Sequence, residues 1–101
     1  MKKAIMIDER DNVATATSEI GAGEEVEIIS PSGAVVMRLR VSEPLPFGHK
    51  VALKNISPGE EVIKYGERIG VASKPILAGA WIHTHNLESL IQPNPIEGRP
   101  P

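Results

Sequence analysis

A chain of 101 residues can bury one small hydrophobic core and is too short for a second domain. Eleven Lys and Arg side chains against thirteen Asp and Glu give a net charge of −2 with interspersed signs, which argues against nucleic acid as a partner. No apolar run approaches the roughly 20 residues of a membrane span. The start does not resemble a signal peptide. With no cysteine present, we expect a cytoplasmic domain without disulfides or thiolate metal sites.

Short segments rich in β-branched residues alternate with turns, so the sequence predicts an all-β domain with little helix. Met37, Leu39 and Val41 alternate with arginines, which predicts a strand with one buried face. The best candidate for a helix is a single turn at 88–92, for which Asn86 would serve as the N-cap. The predicted strands are 4–7, 13–17, 25–29, 34–41, 50–53, 61–64, 68–72 and 80–84.

A seven-residue pattern recurs along the chain at 20–26, 56–62 and 76–82. Each copy has an apolar residue, two spacers, a glycine, two further residues and a second apolar residue. The pattern predicts a tight glycine turn that is entered by a buried aliphatic residue and followed by a strand. Because the copies are unevenly spaced, they favour a compact fold of similar hairpins over a solenoid.

The chain divides near residue 91, after which the composition changes. Residues 93–101 contain four prolines in nine positions, which favours extended conformations over packing into a sheet. We expect residues 1–91 to form the domain and residues 92–101 to be a linker, a docking arm or a disordered end.

The candidates for chemistry begin with two histidines near the end of the predicted domain. In a strand at 80–84, Trp81, His83 and His85 would project from one face, with the roots of the histidines roughly 6 to 7 Å apart. Both imidazoles could then reach one substrate or one metal ion, and zinc, manganese and ferrous iron accept such ligands with a third donor. An exposed polar strand face explains the same spacing without any function.

Two predicted turns carry basic side chains. His49 and Lys50 follow one glycine, and Lys64 and Tyr65 precede another. Either turn could bind a carboxylate, because Lys provides a point charge and Tyr a hydroxyl donor. Hairpin turns are also exposed and often carry such residues without a function, so both interpretations stay open.

Asp11 and Asn12 precede the second predicted strand. They fit an acidic ligand or, more simply, turn-formers whose side chains bond the backbone. The chain has no Gly-rich phosphate loop, serine nucleophile elbow or paired-carboxylate signature. The sequence alone therefore identifies no complete catalytic device.

Four segments, taken in order, resemble the amino-terminal domain of altronate and galactarate dehydratases, and equally the small subunit of sulfolactate sulfo-lyase. They read DNVA at 11–14, PFGHKVAL at 46–53, GEEVIKYGERIGVA at 59–72 and IHTHNL at 82–87. The resemblance covers about residues 4–90. It implies a single β-clip domain of the SAF type.

The resemblance also implies a lyase subunit of carbohydrate-acid metabolism that is inactive alone. A larger partner, either a separate large subunit or a carboxy-terminal domain, would hold most of the active site and supply the base. A divalent metal, Fe²⁺ or Mn²⁺, would be bound by His83 and His85 together with that partner. The residues expected to bind the sugar acid are His49, Lys50, Lys64, Tyr65 and Asn86.

One departure from the family affects the site. Where the family commonly has Gly-Glu-His before the final His-x-His-Asn, this chain has Gly79, Ala80 and Trp81, so one potential ligand is replaced. Three hypotheses stay open: a dehydratase or sulfo-lyase subunit, a non-catalytic sugar-acid binding module, and a structural subunit. The sequence does not choose the acid or the stoichiometry, and a homo-oligomer fits as well as a monomer.

Overall fold

The computed structural model describes residues 1–89, and these residues form strands and turns with no helix. They accordingly provide no helix that could cross a membrane. The strands are β1 Lys2–Ile5, β2 Val13–Ala16, β3 Glu25–Ile29, β4 Val35–Arg40, β5 Lys50–Ala52, β6 Glu61–Lys64, β7 Glu67–Ala72, β8 Trp81–Ile82 and β9 Leu87–Ser89. The prediction of an all-β domain is confirmed. The proposed tail at 92–101 lies outside the described residues.

The strands form two sheets. The larger sheet has six strands in the order β4-β3-β1-β2-β5-β8, and the smaller one has three in the order β6-β7-β9. The β1 and β3 strands pair in parallel, whereas every other ladder in the two sheets is antiparallel. Three of these pairs, β1–β2, β3–β4 and β6–β7, join strands that are consecutive in the sequence, and the other four join strands further apart.

Strands β2, β5 and β8 separate two hydrophobic cores, because alternate side chains on a strand point to opposite faces. Val51 belongs to the first core, which lies against β1, β3 and the segment around Leu45. The next residue, Ala52, belongs to the second core, which lies against the smaller sheet. Trp81 and Ile82 divide in the same way, with the indole against the first core and Ile82 in the second.

Four glycine turns, rather than three, organise the chain. The three turns predicted at Gly23, Gly59 and Gly79 are present, and a fourth with the same pattern lies at Gly48. All four glycines have φ between 82° and 91°, a region that other residues rarely adopt. The fourth copy is harder to recognise in the sequence, because its first apolar residue, Leu45, lies between two prolines.

The four turns associate in pairs through their leading apolar residues. Ile20 and Leu45 exchange backbone hydrogen bonds of 2.9 and 2.8 Å, and Ile56 and Ile76 exchange bonds of 2.7 and 2.9 Å. All four side chains are almost completely buried. The repeated pattern in the sequence is therefore a repeated building unit, with one pair of turns for each core.

The end of the domain differs from the prediction. The eighth predicted strand, 80–84, stops at Ile82, and His83 starts a turn instead. The helical turn expected from Glu88 is also wrong in the described residues, because Leu87–Ser89 form β9 and pair with β7. Asn86 therefore caps no helix at this position.

Candidate functional site

The turn after β8 is held by the side chain of Asn86, which is buried. Its amide nitrogen donates to the Trp81 carbonyl at 2.8 Å, and its amide oxygen accepts from the His83 backbone N–H at 2.9 Å. The Leu87 N–H also donates to the His83 carbonyl at 3.0 Å. These bonds close a turn, so the predicted alternation of Trp81, His83 and His85 along one strand face is wrong.

The turn nevertheless brings all three histidines to one place, with Trp81 at the centre. The Trp81 and His83 rings are stacked, with centroids 5.4 Å apart and planes at 10°. His85 lies 5.5 Å from the indole in a tilted arrangement. His49, from the glycine turn before β5, contacts Trp81 at 5.4 Å and His83 at 5.0 Å, both edge to face. We call these four residues the aromatic cluster.

Glu43 is a neighbour of the cluster that the sequence analysis did not single out. Its carboxylate accepts a hydrogen bond from the Trp81 backbone N–H at 3.1 Å. Because this carboxylate belongs to the loop before the second glycine turn, it links that loop to β8. No local sequence signal indicates the contact, since the two residues are 38 positions apart.

Lys50 and Lys64 form the second group of predicted site residues. Burial lowers the pKa of Lys50, and the positive charge of Lys64 lowers it further. No Asp or Glu among residues 1–89 forms an ion pair with either lysine. The two positive charges therefore interact unfavourably, and neither has a carboxylate partner in the described residues, so an anion bound beside them would be favourable.

Tyr65 extends this lysine pair on the side of the β6–β7 hairpin. The ammonium of Lys64 lies 4.9 Å from the centroid of the Tyr65 ring. The Tyr65 side chain is exposed, and its backbone has φ of 57°, an uncommon value for a residue other than glycine. The phenol hydroxyl is therefore presented to solvent beside a cation.

Asp11 and Asn12 have structural partners that account for both side chains. The Asp11 carboxylate accepts hydrogen bonds from the backbone N–H groups of Ile7, Asp8 and Gly66 at 3.3, 3.1 and 2.8 Å. Asn12 donates to the Glu61 carbonyl and accepts from the Ile63 N–H, at 2.8 and 2.7 Å. Both side chains are buried. These contacts support the interpretation as backbone-bonding residues, here tying the first loop to the β6–β7 hairpin.

The two groups of site residues meet at the start of β5, where His49 directly precedes Lys50. Lys50 lies on the face of β5 that it shares with Ala52 and the second core. His49 precedes it and takes the other face, where it contacts Trp81. The aromatic cluster and the lysine pair therefore occupy the two sides of one sheet end, and a ligand would touch both only across that end.

A metal ion is the remaining predicted component of this site. Within residues 1–89, no group of three or more His, Asp or Glu side chains is arranged to hold a metal. The imidazoles of His83 and His85 by themselves fall short of the coordination that Fe²⁺, Mn²⁺ or Zn²⁺ usually has in proteins. The described part of this chain thus does not fit a complete metal centre.

Two clefts in the described residues lie away from the predicted site. One, of about 350 Å³, is lined by residues including Lys2, Glu24 and Leu45. The other, of about 450 Å³, is lined by charged residues including Arg10, Lys54 and Glu60. Neither of these two clefts includes a residue of the aromatic cluster or the lysine pair.

Comparison with known proteins relates this chain to two kinds of relative. The chain is 36% identical over 89 residues to altronate dehydratase of Bacillus subtilis (strain 168), covering 88% of this chain and 17% of that protein. It is 42% identical over 82 residues to altronate dehydratase of Escherichia coli (strain K12), covering 81% and 15%. The chain therefore spans about a sixth of the length of these relatives.

A second kind of relative is closer in size. The chain is 44% identical over 52 residues to the (2R)-sulfolactate sulfo-lyase subunit alpha of Paracoccus pantotrophus, which covers 52% of this chain and 78% of that subunit. The sequence-family model of the altronate/galactarate dehydratase SAF domain matches residues 2–90 of this chain. The resemblance carried by the four segments is thereby confirmed, and the chain belongs to the altronate/galactarate dehydratase SAF domain family.

Proposed function

We propose that this chain is the small subunit, or the amino-terminal domain, of a sugar-acid dehydratase of the altronate/galactarate type. In this proposal it contributes substrate-binding side chains to a site that a larger partner completes. The observation that carries the proposal is the lysine pair, because Lys50 is half-buried on β5, Lys64 on β6 lowers its pKa further, and neither has a carboxylate partner among the described residues. A sugar acid has the carboxylate that such a pair would bind.

The reaction explains why such a cationic site is needed. A base removes the proton next to the carboxylate, the bond from the β-carbon to its hydroxyl breaks, and the hydroxyl leaves as water after accepting a proton. The resulting enol converts to a 2-keto-3-deoxy acid. Negative charge accumulates on the carboxylate oxygens when the proton leaves, so ammonium groups fixed beside them stabilise the transition state more than the substrate.

The two sides of the site have different roles in this proposal. Lys50, Lys64 and the Tyr65 hydroxyl bind a carboxylate of the acid. The imidazole of His49 contacts its hydroxyl groups. Asn86, predicted to bind substrate directly, has both polar side-chain atoms engaged in the turn, so we assign it to holding Trp81 and His83 in position.

The metal and the base are assigned to the partner. A bound Fe²⁺ or Mn²⁺ would polarise the carboxylate, with His83 and His85 as two ligands and the other ligands from the larger chain. Family membership is the support for this assignment, since the described residues of this chain do not make a metal centre alone.

Sulfolactate sulfo-lyase is the second candidate function, and similarity to a sulfo-lyase subunit supports it. The chain matches 78% of the sulfo-lyase subunit alpha of Paracoccus pantotrophus but 17% of the Bacillus subtilis altronate dehydratase. In a sulfo-lyase the same proton abstraction would expel sulfite instead of water. The carboxylate that the lysines bind would be common to both substrates.

The experiment that tests the proposal uses this chain co-expressed with a large dehydratase subunit encoded next to it. Formation of 2-keto-3-deoxy acid from altronate and galactarate is measured with Fe²⁺ or Mn²⁺, together with sulfite release from (2R)-sulfolactate. Lys50→Gln and Lys64→Gln are compared with Lys3→Gln, which makes the same charge change on β1. Each site variant is expected to lower kcat/KM by about tenfold or more, and the control by less than about threefold.

Each alternative predicts a different result in this experiment. If the isolated chain binds galactarate in a calorimeter and no lyase activity appears with any partner, the binding-module hypothesis replaces the proposal. If Lys50→Gln and Lys64→Gln retain full activity, the lysine pair is not the carboxylate site. If His83→Gln and His85→Gln leave the metal content of the complex unchanged, neither is a ligand.

A further inference from the structure

The aromatic cluster contains a hydrogen bond that determines where His49 carries its proton. The indole Nε1–H of Trp81 donates to Nδ1 of His49 at 3.1 Å. An indole N–H can only donate, so Nδ1 of His49 must present its lone pair. A neutral imidazole has one N–H, and it is therefore on Nε2.

The donor is fixed in place by the turn described above. The backbone N–H of Trp81 donates to the Glu43 carboxylate, and its carbonyl accepts from Asn86. One face of the indole is also stacked on His83. Since the backbone and the ring of Trp81 are both held, its N–H points at His49 in the absence of any ligand.

The His49 ring is fixed as well. It contacts the edge or face of two rings, at 5.4 Å to Trp81 and 5.0 Å to His83. Its other nitrogen, Nε2, takes no part in the bond to Trp81, and the ring is only partly buried. Rotation of the ring would break the hydrogen bond, so Nε2 is the atom that remains to meet a ligand.

We propose that Trp81 is a positioning residue that locks His49 in its Nε2–H tautomer, and that His49 is thereby a hydrogen-bond donor to an anionic or hydroxyl oxygen of the ligand. A metal ligand or a general base needs a lone pair, and the only lone pair on the neutral ring is occupied by the indole. The tautomer assignment stands on geometry alone. That the oxygen belongs to a sugar acid rests on the proposed function.

The tautomer is tested by long-range ¹H–¹⁵N correlation spectra of the whole chain with ¹⁵N-labelled histidine, which show for each ring nitrogen whether it carries the proton. The wild-type protein is expected to show a single Nε2–H tautomer for His49. Trp81→Phe keeps an aromatic ring against His83 but removes the donor, so both tautomers are expected to appear. His85→Gln removes a ring from the cluster without touching the donor, and His49 is expected to keep the wild-type pattern.

Two results would overturn the positioning role. One is an Nδ1–H or mixed tautomer in the wild-type protein, and the other is an unchanged pattern in Trp81→Phe. Circular dichroism of each variant checks the fold, and Trp81→Tyr, a second ring without an indole N–H, is a substitute if the Phe variant unfolds.

The donor role is tested separately with two probes, D-galactarate and Zn²⁺. Galactarate is expected to shift the Nε2–H signals of His49, and His49→Ala is expected to weaken its binding about tenfold. Zn²⁺ is expected to leave the Nε2 proton of His49 in place. Loss of that proton on addition of Zn²⁺ would show that His49 is a metal ligand.

If galactarate does not shift the Nε2–H signals while the tautomer is locked, the donor role of His49 is wrong and the positioning role of Trp81 stands. Failure of the lysine variants in the activity assay would instead contradict the proposed function.

Discussion

Buried polar side chains account for much of the local order in this domain, and Asn12 is the clearest case. Its amide bonds two backbone groups of β6, which lie 49 and 51 positions further along the chain. Removing the amide leaves a part-buried N–H and a part-buried carbonyl without partners. The cost of such a change is set by desolvation of the two orphaned groups and not by the strength of the lost bonds.

We expect Asn12→Ala to lower the free energy of unfolding by about 1–3 kcal/mol. The matched control is Asn55→Ala, which removes an exposed side chain that accepts one backbone hydrogen bond, from Ala78. That control should cost less than about 1 kcal/mol. Urea denaturation measures the free energy of unfolding of both variants. Equal losses would show that the hydrogen bonds of Asn12 to β6 contribute no more to stability than the single bond of Asn55.

The lowered pKa of Lys50 leads to a second prediction for a single residue. Burial of the side chain and the charge of Lys64 lower this pKa from its ordinary value of 10.5. Between the lowered value and 10.5, the unfolded chain binds more protons at this side chain than the folded chain does. The free energy of unfolding therefore rises with pH in this interval. Below it, the charged side chain is a destabilising group.

Replacing Lys50 by Met should consequently stabilise the domain near neutral pH and reduce the rise in stability with alkaline pH. The measurement is the free energy of unfolding of both proteins from pH 7 to 10.5, taken as a difference so that other groups cancel. Lys64→Met is the companion variant, since it should raise the pKa of Lys50 by removing the second cause. A Lys50→Met protein that is less stable at every pH would contradict the burial argument.

The strands could be predicted from the sequence where a local pattern of residues specifies them. All eight predicted strands have counterparts, because β-branched residues and glycine turns are local signals. The last strand stops early because Asn86 reaches back to Trp81 and His83, and a side chain that bonds its own backbone competes with the sheet ladder. The contact from Trp81 to His49 was not predictable, since it joins residues 32 positions apart through the tertiary fold.

Gly79 provides the test at the scale of elements. Its φ is 91°, and a Cβ added there would lie 2.2 Å from the carbonyl oxygen of Arg40. Gly59 has the same role in its own turn, with φ of 86°, but no atom lies within 4 Å of an added Cβ. The two glycines thus share the backbone constraint and differ in the close approach.

We expect Gly59→Ala to cost about 1–3 kcal/mol for the left-handed backbone alone. Gly79→Ala should cost substantially more, beyond about 4 kcal/mol, because the backbone of β4 or of the turn must also move. Thermal and urea unfolding measure the difference. If both variants lost a similar amount of unfolding free energy, the backbone at Arg40 would be able to move away from an added Cβ at little cost.

At the scale of the molecule, the two cores share strands β2, β5 and β8 and should therefore unfold together. Ile28 belongs to the first core and Ile82 to the second, and both are completely buried. We expect Ile28→Ala and Ile82→Ala each to cost about 2–5 kcal/mol, a large part of the 5–15 kcal/mol typical of a domain.

Both variants should shift one cooperative transition. Fluorescence of Trp81, the single tryptophan, reports on the first core, and far-ultraviolet circular dichroism reports on both sheets. The two probes should give the same midpoint for each variant. Separate midpoints in Ile82→Ala would show that the smaller sheet unfolds independently.

The paired glycine turns also bear on how such a site can arise. In the first and third turns the residue after glycine is Glu24 or Glu60, and its carboxylate accepts a backbone N–H from the turn's second residue. In the second turn that second residue is Pro46, which has no N–H to satisfy. The residue after Gly48 is thereby free of the backbone-bonding role that Glu24 and Glu60 have, as Ala80 also is in the fourth turn. His49 occupies this position, so its side chain can contact Trp81 and His83 without a cost to the turn that carries it.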